Sequence, residues 1–267
     1  MAGMDVGVLY WDPGRIWFHI GPVAIRYYGV FLALTMALGA YLVQRHLRRR
    51  GYPEDLAQRY ILYLFVGFLI GARLGHCLFY APLFYLRHPL QILLIWHGGI
   101  ASHGAAIGLT LAAILFHRRH RIAFLDLADA TVLPAAVGAV FVRLGNFFNS
   151  EIIGRVTDVP WAVVFVRRDP HPRHPSQFYE ALGGFVVLMV LLALGRRRTL
   201  RPGVIAGVFL TGYFTFRFLV EFFKEYQVPT GFFTMGQYLS VPFIAFGAIL
   251  LAVALRKRRE AKPPPAA

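Results

Sequence analysis

Apolar residues run through this chain in long blocks, separated by short polar and basic connections. A helix crosses the hydrocarbon core of a bilayer with about 20 mostly apolar residues. Seven blocks have that character: residues 23–43, 60–80, 98–116, 125–141, 178–194, 204–220 and 238–255. The pattern predicts an all-α integral membrane protein of about seven transmembrane helices. Residues 89–96 are apolar but too short to span, and are expected at the interface or re-entering it. The longest connection, residues 146–176, holds a short strand pattern at 160–166 and a turn-rich stretch at 168–175. It is the one connection large enough for a small periplasmic head. The expected organisation is a single polytopic membrane domain over 1–260, then a disordered tail at 261–267 that contains three prolines. The start of the chain lacks the basic, apolar and small-residue pattern of a cleaved signal, so the first block is expected to be a retained span. The absence of an internal repeat argues against a transporter built from repeated halves.

Composition sharpens this picture. Hydrophobic residues make up 57% of the chain, against roughly 45–50% in soluble domains, and mean hydropathy is +0.55. The formal net charge of +15 would point to nucleic acid in a soluble protein. Here the charge lies in short clusters: Arg45, Arg48, Arg49 and Arg50; Arg118, Arg119 and Arg121; Arg196, Arg197, Arg198 and Arg201; Arg256, Lys257, Arg258 and Arg259. They follow the first, third, fifth and seventh blocks, whereas Arg87 and Lys224 are the sparse charges after the second and sixth. Such alternation marks cytoplasmic loops, so the N-terminus is expected outside and the C-terminus in the cytoplasm, with no nucleic-acid partner. Cys77 stands alone, so no intramolecular disulfide and no cysteine metal site can form. No close His/Asp/Glu ligand spacing is present, and no metal or cofactor is expected.

Ionisable side chains inside spans cost about 2.5–3.5 kcal/mol at the centre on insertion scales and often mark function. The blocks and their edges contain Arg26, Arg73, His76, His103, Asp126, Asp129, Arg143, Glu151, Glu180, Arg217 and Glu221. Asp126 and Asp129 can cap their helix or pair with Arg121. Arg26 and Arg73 can snorkel to an interface. Arg217 and Glu221, four apart, can form an ion pair on one helix face. Ser176 suits a helix N-cap, and Glu180 can face inward. His103 lies among small residues that favour close helix packing. It can hydrogen-bond across helices or serve as a general base near neutral pH. The densest polar stretch is Arg143-Leu144-Gly145-Asn146-Phe147-Phe148-Asn149-Ser150-Glu151-Ile152-Ile153-Gly154. An arginine fork there suits phosphate oxygens, and the glycines permit close approach or turns.

These motifs together resemble the prolipoprotein diacylglyceryl transferase family. The likeness runs from Ile20-Gly21-Pro22-Val23 and Tyr28-Gly29 to Met235-Gly236-Gln237. The 143–154 stretch is its most specific part. Gly71-Ala72-Arg73, His103-Gly104, His174-Pro175-Ser176-Gln177 and Arg217-Phe218-Leu219-Val220-Glu221-Phe222-Phe223 support it. The chain departs from the family pattern at Val142, Ala101 and Ala105. The resemblance implies a multi-pass enzyme of the bacterial inner membrane. It would move the diacylglyceryl group of phosphatidylglycerol to the lipobox cysteine of a preprolipoprotein signal peptide, releasing glycerol phosphate. It further implies that Arg143 and Arg217 hold the phosphate and that His103 helps deprotonate the thiol. Glu151 and Glu221 would orient these groups, and Asn146, Tyr28 and Gly154 would bind the lipid head group. A transporter for an anionic lipid or solute, or a catalytically degenerate homologue, would share the same arginines.

Overall fold

A computed structural model of the chain describes residues 8–95, 98–197, 199–225 and 232–256. The tail 261–267, the basic residues Lys257, Arg258 and Arg259, and Arg198, Trp96 and His97 lie outside the described residues. The protein is mostly helical. Its long helices are α1 (Tyr27–Arg49), α2 (Glu54–Phe79), α4 (Ser102–His120), α5 (Phe124–Phe148), α6 (Ser176–Leu194), α7 (Val204–Val220) and α8 (Met235–Arg256), with a short α3 at Pro82–Arg87. They coincide with the seven apolar blocks. Among the described residues, six are long and apolar enough to cross a membrane, α7 counting together with the 3-10 turn that continues it to Phe223. The protein is a multi-pass membrane protein. The exception is α4, whose last turn is His117-Arg118-Arg119-His120. Helix ends follow local chemistry. Glu54 and Asp55 open α2, and Arg48 and Arg49 close α1, each with the sign that opposes the helix dipole. Leu239, Phe246, Ile249 and Val253 of α8 are exposed, as on a helix whose outer face meets lipid.

The first span starts later than the apolar pattern implied. Residues 16–26 form a hairpin of β2 (Ile16–Ile20) and β3 (Val23–Arg26), which pair antiparallel. Gly21 sits at φ +55 in its turn, a conformation open to glycine at little cost. Arg26 is therefore a strand residue, and α1 begins at Tyr27.

The chain divides into two compact units, residues 1–39 with 132–267 and residues 40–131. In the smaller unit α2 packs along α4 through glycines four apart. A Cβ on Gly75 would lie 2.6 Å from the Gly104 Cα, and one on Gly108 would lie 2.9 Å from the Gly71 Cα. The apolar core of this unit gathers Val43, Leu47, Tyr60, Leu64, Phe116 and Leu127. Asp126 and Asp129 do not pair with Arg121, which instead ends α4 as its left-handed cap. Both lie 3.4 Å from Arg50, and Asp126 accepts a hydrogen bond from the Tyr52 hydroxyl at 2.7 Å. Nor does Arg73 snorkel. It is 4% exposed and donates to the carbonyls of Gln91, Ile92, Leu94, Gly98 and Gly99. The segment before α4 is thus wrapped around one guanidinium.

In the larger unit α6 packs on α7 and α7 on α8. A three-stranded sheet has β1 (Leu9–Trp11) parallel to β4 (Val163–Phe165), which pairs antiparallel with β5 (Pro172–Arg173). The strand pattern at 160–166 is thus β4, and the N-terminal strand completes the sheet. Phe147, Ile153, Val163 and Phe165 form its core, and the Trp11 indole donates to the Phe147 carbonyl at 3.0 Å.

Candidate active site

The larger unit gathers its charged groups where α5, α6 and α7 bring Arg143, Glu180 and Arg217 together. The Glu180 side chain is 3% exposed. It lies 2.7 Å from Arg143 Nε, 3.8 Å from Arg217 and 2.9 Å from Lys224 Nζ. A carboxylate this deep is tolerated because cations and hydrogen bonds surround it. Lys224 Nζ also donates to Glu221 Oε2 at 3.0 Å. Arg217 and Glu221 therefore pair with Glu180 and Lys224 rather than with each other. The helix of α7 ends at Val220, and Glu221 begins a 3-10 turn; the two side chains are instead drawn to Glu180 and Lys224.

A second chain of contacts leads from Arg143 to Glu151. Arg143 donates to Asn146 Oδ1 at 3.3 Å. The Asn146 amide donates to Glu151 Oε2 at 3.1 Å, and the Asn149 amide donates to Oε1 at 3.3 Å. Glu151 thus acts on Arg143 through Asn146, while Glu180 makes the direct pair. Tyr28 covers Gly145, where a Cβ would lie 2.8 Å from its ring, and its hydroxyl feels the charges of both Glu151 and Arg143.

The turn that carries Glu151 is unusual. Ser150 and Ile152 flank it at φ +54 and +55. A left-handed β-branched residue costs roughly 1–2 kcal/mol, so surrounding groups must hold it. Four side chains do so by taking carbonyls along the segment. Arg167 donates to Phe148, Arg168 to Ser150, Gln177 to Glu151 and Ser176 to Ile152, at 2.7, 2.8, 2.7 and 2.8 Å. Ser176 is therefore not the N-cap of α6. That position belongs to Pro175, and the hydroxyl is spent on the Glu151 turn.

Gly154 is fixed by the backbone around it. It bridges antiparallel to Lys224, and a Cβ there would meet the Phe223 carbonyl oxygen at 2.7 Å and His174 Cβ at 2.6 Å. Arg173 locks the same place, donating to the Gly154 carbonyl at 3.1 Å and pairing with Asp169 at 2.7 Å and Glu225 at 3.0 Å. The Arg173 guanidinium holds the Asp169 carboxyl below its ordinary range. Burial, with the nearby Arg155 charge, pulls His174 below the usual imidazole value.

His103 belongs to the smaller unit, in the first turn of α4. It is exposed, with its ring 4.9 Å from Phe79 and 5.9 Å from Tyr80. Cys77 is buried. Of the residues expected from the sequence, the larger unit links Arg143, Asn146, Glu151, Arg217 and Glu221 through hydrogen bonds and ion pairs. Tyr28 and Gly154 pack beside them. Glu180 and Lys224 were not among the expected site residues. Their signal was a carboxylate just inside a span and a lysine three residues beyond Glu221.

The sequence profile of the family described as prolipoprotein diacylglyceryl transferase matches residues 15–253. This chain belongs to that family. Its similarity to curated members extends nearly end to end. A phosphatidylglycerol–prolipoprotein diacylglyceryl transferase of Tolumonas auensis is 43% identical over 256 residues, covering 94% of this chain and 99% of the relative. One of Chloroherpeton thalassium is 42% identical, covering 91% and 93%. One of Geobacter sulfurreducens is 41% identical, covering 93% and 96%. Arg143, Glu151, Glu180, Arg217, Glu221 and Lys224 all lie within the matched span of the diacylglyceryl transferase profile.

Proposed function

We propose that this chain transfers the diacylglyceryl group of phosphatidylglycerol to the lipobox cysteine thiol of a preprolipoprotein, with the lipid phosphate held by Arg143 and Arg217. The chain is a membrane transferase of lipoprotein maturation. The observation that supports the site assignment is the convergence of Arg143 and Arg217 on one buried carboxylate, Glu180. The sulfur attacks the glycerol carbon that bears the phosphate. A C–S bond forms, the C–O bond breaks, and its electron pair stays on the phosphate oxygen. The thiol proton passes to a base, for which His103 is assigned. The leaving glycerol phosphate carries one more negative charge than the phosphodiester did. Fixed guanidinium groups stabilise that developing charge, and they act more strongly in a dry site than in water. Asn146 and Tyr28 position the head group, and Glu151 steadies Arg143 through Asn146. The enzyme is assigned to the bacterial inner membrane as one domain over 1–260, its N-terminus and 146–176 head periplasmic and its C-terminus cytoplasmic.

The test uses purified protein in detergent, phosphatidylglycerol and a lipobox peptide with one cysteine. A diacylglyceryl gain in peptide mass with release of glycerol phosphate is expected. The gain should vanish with Arg143→Ala and with a serine in place of the peptide cysteine. Folded protein that binds the lipid and gives no covalent product would sink the assignment and favour a transporter or a degenerate homologue.

A further inference from the structure

Three cations surround Glu180, and they are not equivalent. Arg143 is tied by Nε to Glu180 Oε2 at 2.7 Å and by Nη1 to Asn146. Lys224 Nζ is bonded to Glu180 Oε1 at 2.9 Å and to Glu221 Oε2 at 3.0 Å. Arg217 approaches the same Oε1 only to 3.8 Å, beyond hydrogen-bond reach. Among the described residues it makes no hydrogen bond. Its side chain is 26% exposed against 10% for Lys224. Arg217 therefore stands in the site with its donors uncommitted, while the carboxylate oxygen nearest to it is occupied by the lysine.

We infer that Lys224 is a positioning residue for the transfer: it occupies Glu180 so that the Arg217 guanidinium stays free for the lipid phosphate. Without the lysine, an unpaired Oε1 in a buried carboxylate would draw Arg217 into a direct bond, and the fork would be lost to the substrate. Glu221 has less need of the lysine. Its carboxylate lies against Gly236, where a Cβ would meet it at 2.5–2.7 Å, in the first turn of α8, where the helix dipole favours an anion. Backbone contacts place the lysine. Gly154 bridges to Lys224, the Arg155 amide donates to the Phe223 carbonyl, and the Glu225 amide donates to the Ile153 carbonyl.

The inference rests on the proposed function for the identity of the ligand, and its test is separable from turnover. Binding of phosphatidylglycerol, and of diacylglycerol as a probe without phosphate, is measured on the full chain in detergent. Wild type, Lys224→Met, Glu180→Gln, the double variant and Lys224→Arg are compared. Glutamine keeps the size and polarity of the side chain beside Arg143 but gives Arg217 no charge to pair with. Lys224→Met should weaken phosphatidylglycerol binding by about 10- to 100-fold, the equivalent of one charge-assisted hydrogen bond, and leave diacylglycerol binding unchanged. The double variant should bind as well as Glu180→Gln alone, and Lys224→Arg should recover most of the loss. In the peptide assay the Lys224→Met defect should fall on KM for the lipid and spare KM for the peptide.

Wild-type binding by Lys224→Met overturns the inference. So does a double variant as weak as Lys224→Met, because the lysine would then contact the lipid itself. If the methionine variant does not fold, Lys224→Gln, which keeps donors but no charge, is judged by the same outcomes. A wild-type protein that binds the lipid but never transfers it counts against the proposed function and leaves this binding cycle decisive for Lys224.

Discussion

At the scale of single residues the site is a set of spacings as much as a set of charges. Gly154 shows this well. A Cβ there would press on the Phe223 carbonyl oxygen and on His174. Gly154→Ala must therefore displace the segment that carries Lys224, at about 1–3 kcal/mol for overpacking. It should lower thermal stability and weaken phosphatidylglycerol binding together, followed by unfolding in detergent and by lipid binding. A loss of binding with stability unchanged would instead make Gly154 a direct lipid contact. Much of the site was visible in the sequence because Arg143, Asn146, Glu151, Arg217 and Glu221 are polar groups in apolar surroundings. Their partners were harder to see. Glu180 and Lys224 lie 44 positions apart, and spacing along the chain carries no sign that they meet. Ser176 looked like a cap because it precedes an apolar run, yet its hydroxyl reaches Ile152.

At the scale of elements the helices were legible and their contacts were not. Apolar blocks located all seven long helices, but Val23, Ala24 and Ile25 run straight on toward α1, and this second strand of the hairpin was read as the start of a span. The α2–α4 seam is built from glycines whose close neighbours are backbone atoms. A side chain on Gly108 would find the Gly71 Cα at 2.9 Å. Gly108→Leu should separate the two helices and lower the unfolding temperature sharply. Gly29→Ala, where nothing lies within 4 Å, should be neutral or stabilising by about 0.5–1 kcal/mol. Equal effects of the two substitutions would refute the seam as a packing constraint. The small sheet has its own weakness, in acid. Asp169 is held below its ordinary value and His174 is likewise lowered, so both bind protons more readily unfolded than folded. Stability from His174 is present above its unfolded value of about 6.5 and is lost as pH falls through its folded value. Stability from Asp169 is present above about 3.9 and is lost at still lower pH. Hydrogen exchange of residues 163–173, corrected for intrinsic rates, should quicken as pH drops below about 6.5. His174→Gln should remove that first phase and leave the second. Protection that does not change from pH 7 to 5 would count against the histidine's part.

At the scale of the whole molecule the open quantity is parity, because an odd number of crossings puts the two ends of the chain on opposite sides of the membrane. Among the described residues six helices meet the length and apolarity of a span, and α4 decides whether these make six or seven. Its 19 residues extend about 28 Å at 1.5 Å each, close to the roughly 30 Å of a hydrocarbon core. The basic last turn removes apolar length, but Arg118 and Arg119 are exposed and can extend their charged heads toward the interface while their stems remain in lipid. Seven crossings also place the clusters at Arg45–Arg50, Arg118–Arg121 and Arg196–Arg201 on one side, as the distribution of positive charge demands. Six would put the cluster after α4 on the side of the sparse connections. Site-specific labelling can settle this, because Cys77 is buried and gives a quiet background. Arg87→Cys, Arg119→Cys, Asp158→Cys and Thr199→Cys all replace exposed residues. A membrane-impermeant maleimide should reach positions 87 and 158 in intact spheroplasts, and positions 119 and 199 only after the membrane is opened. Labelling of 87 and 119 from the same side would remove α4 from the spans. Reversal at all four positions would keep seven crossings and invert the orientation, putting the 146–176 head in the cytoplasm, where the proposed reaction does not place it.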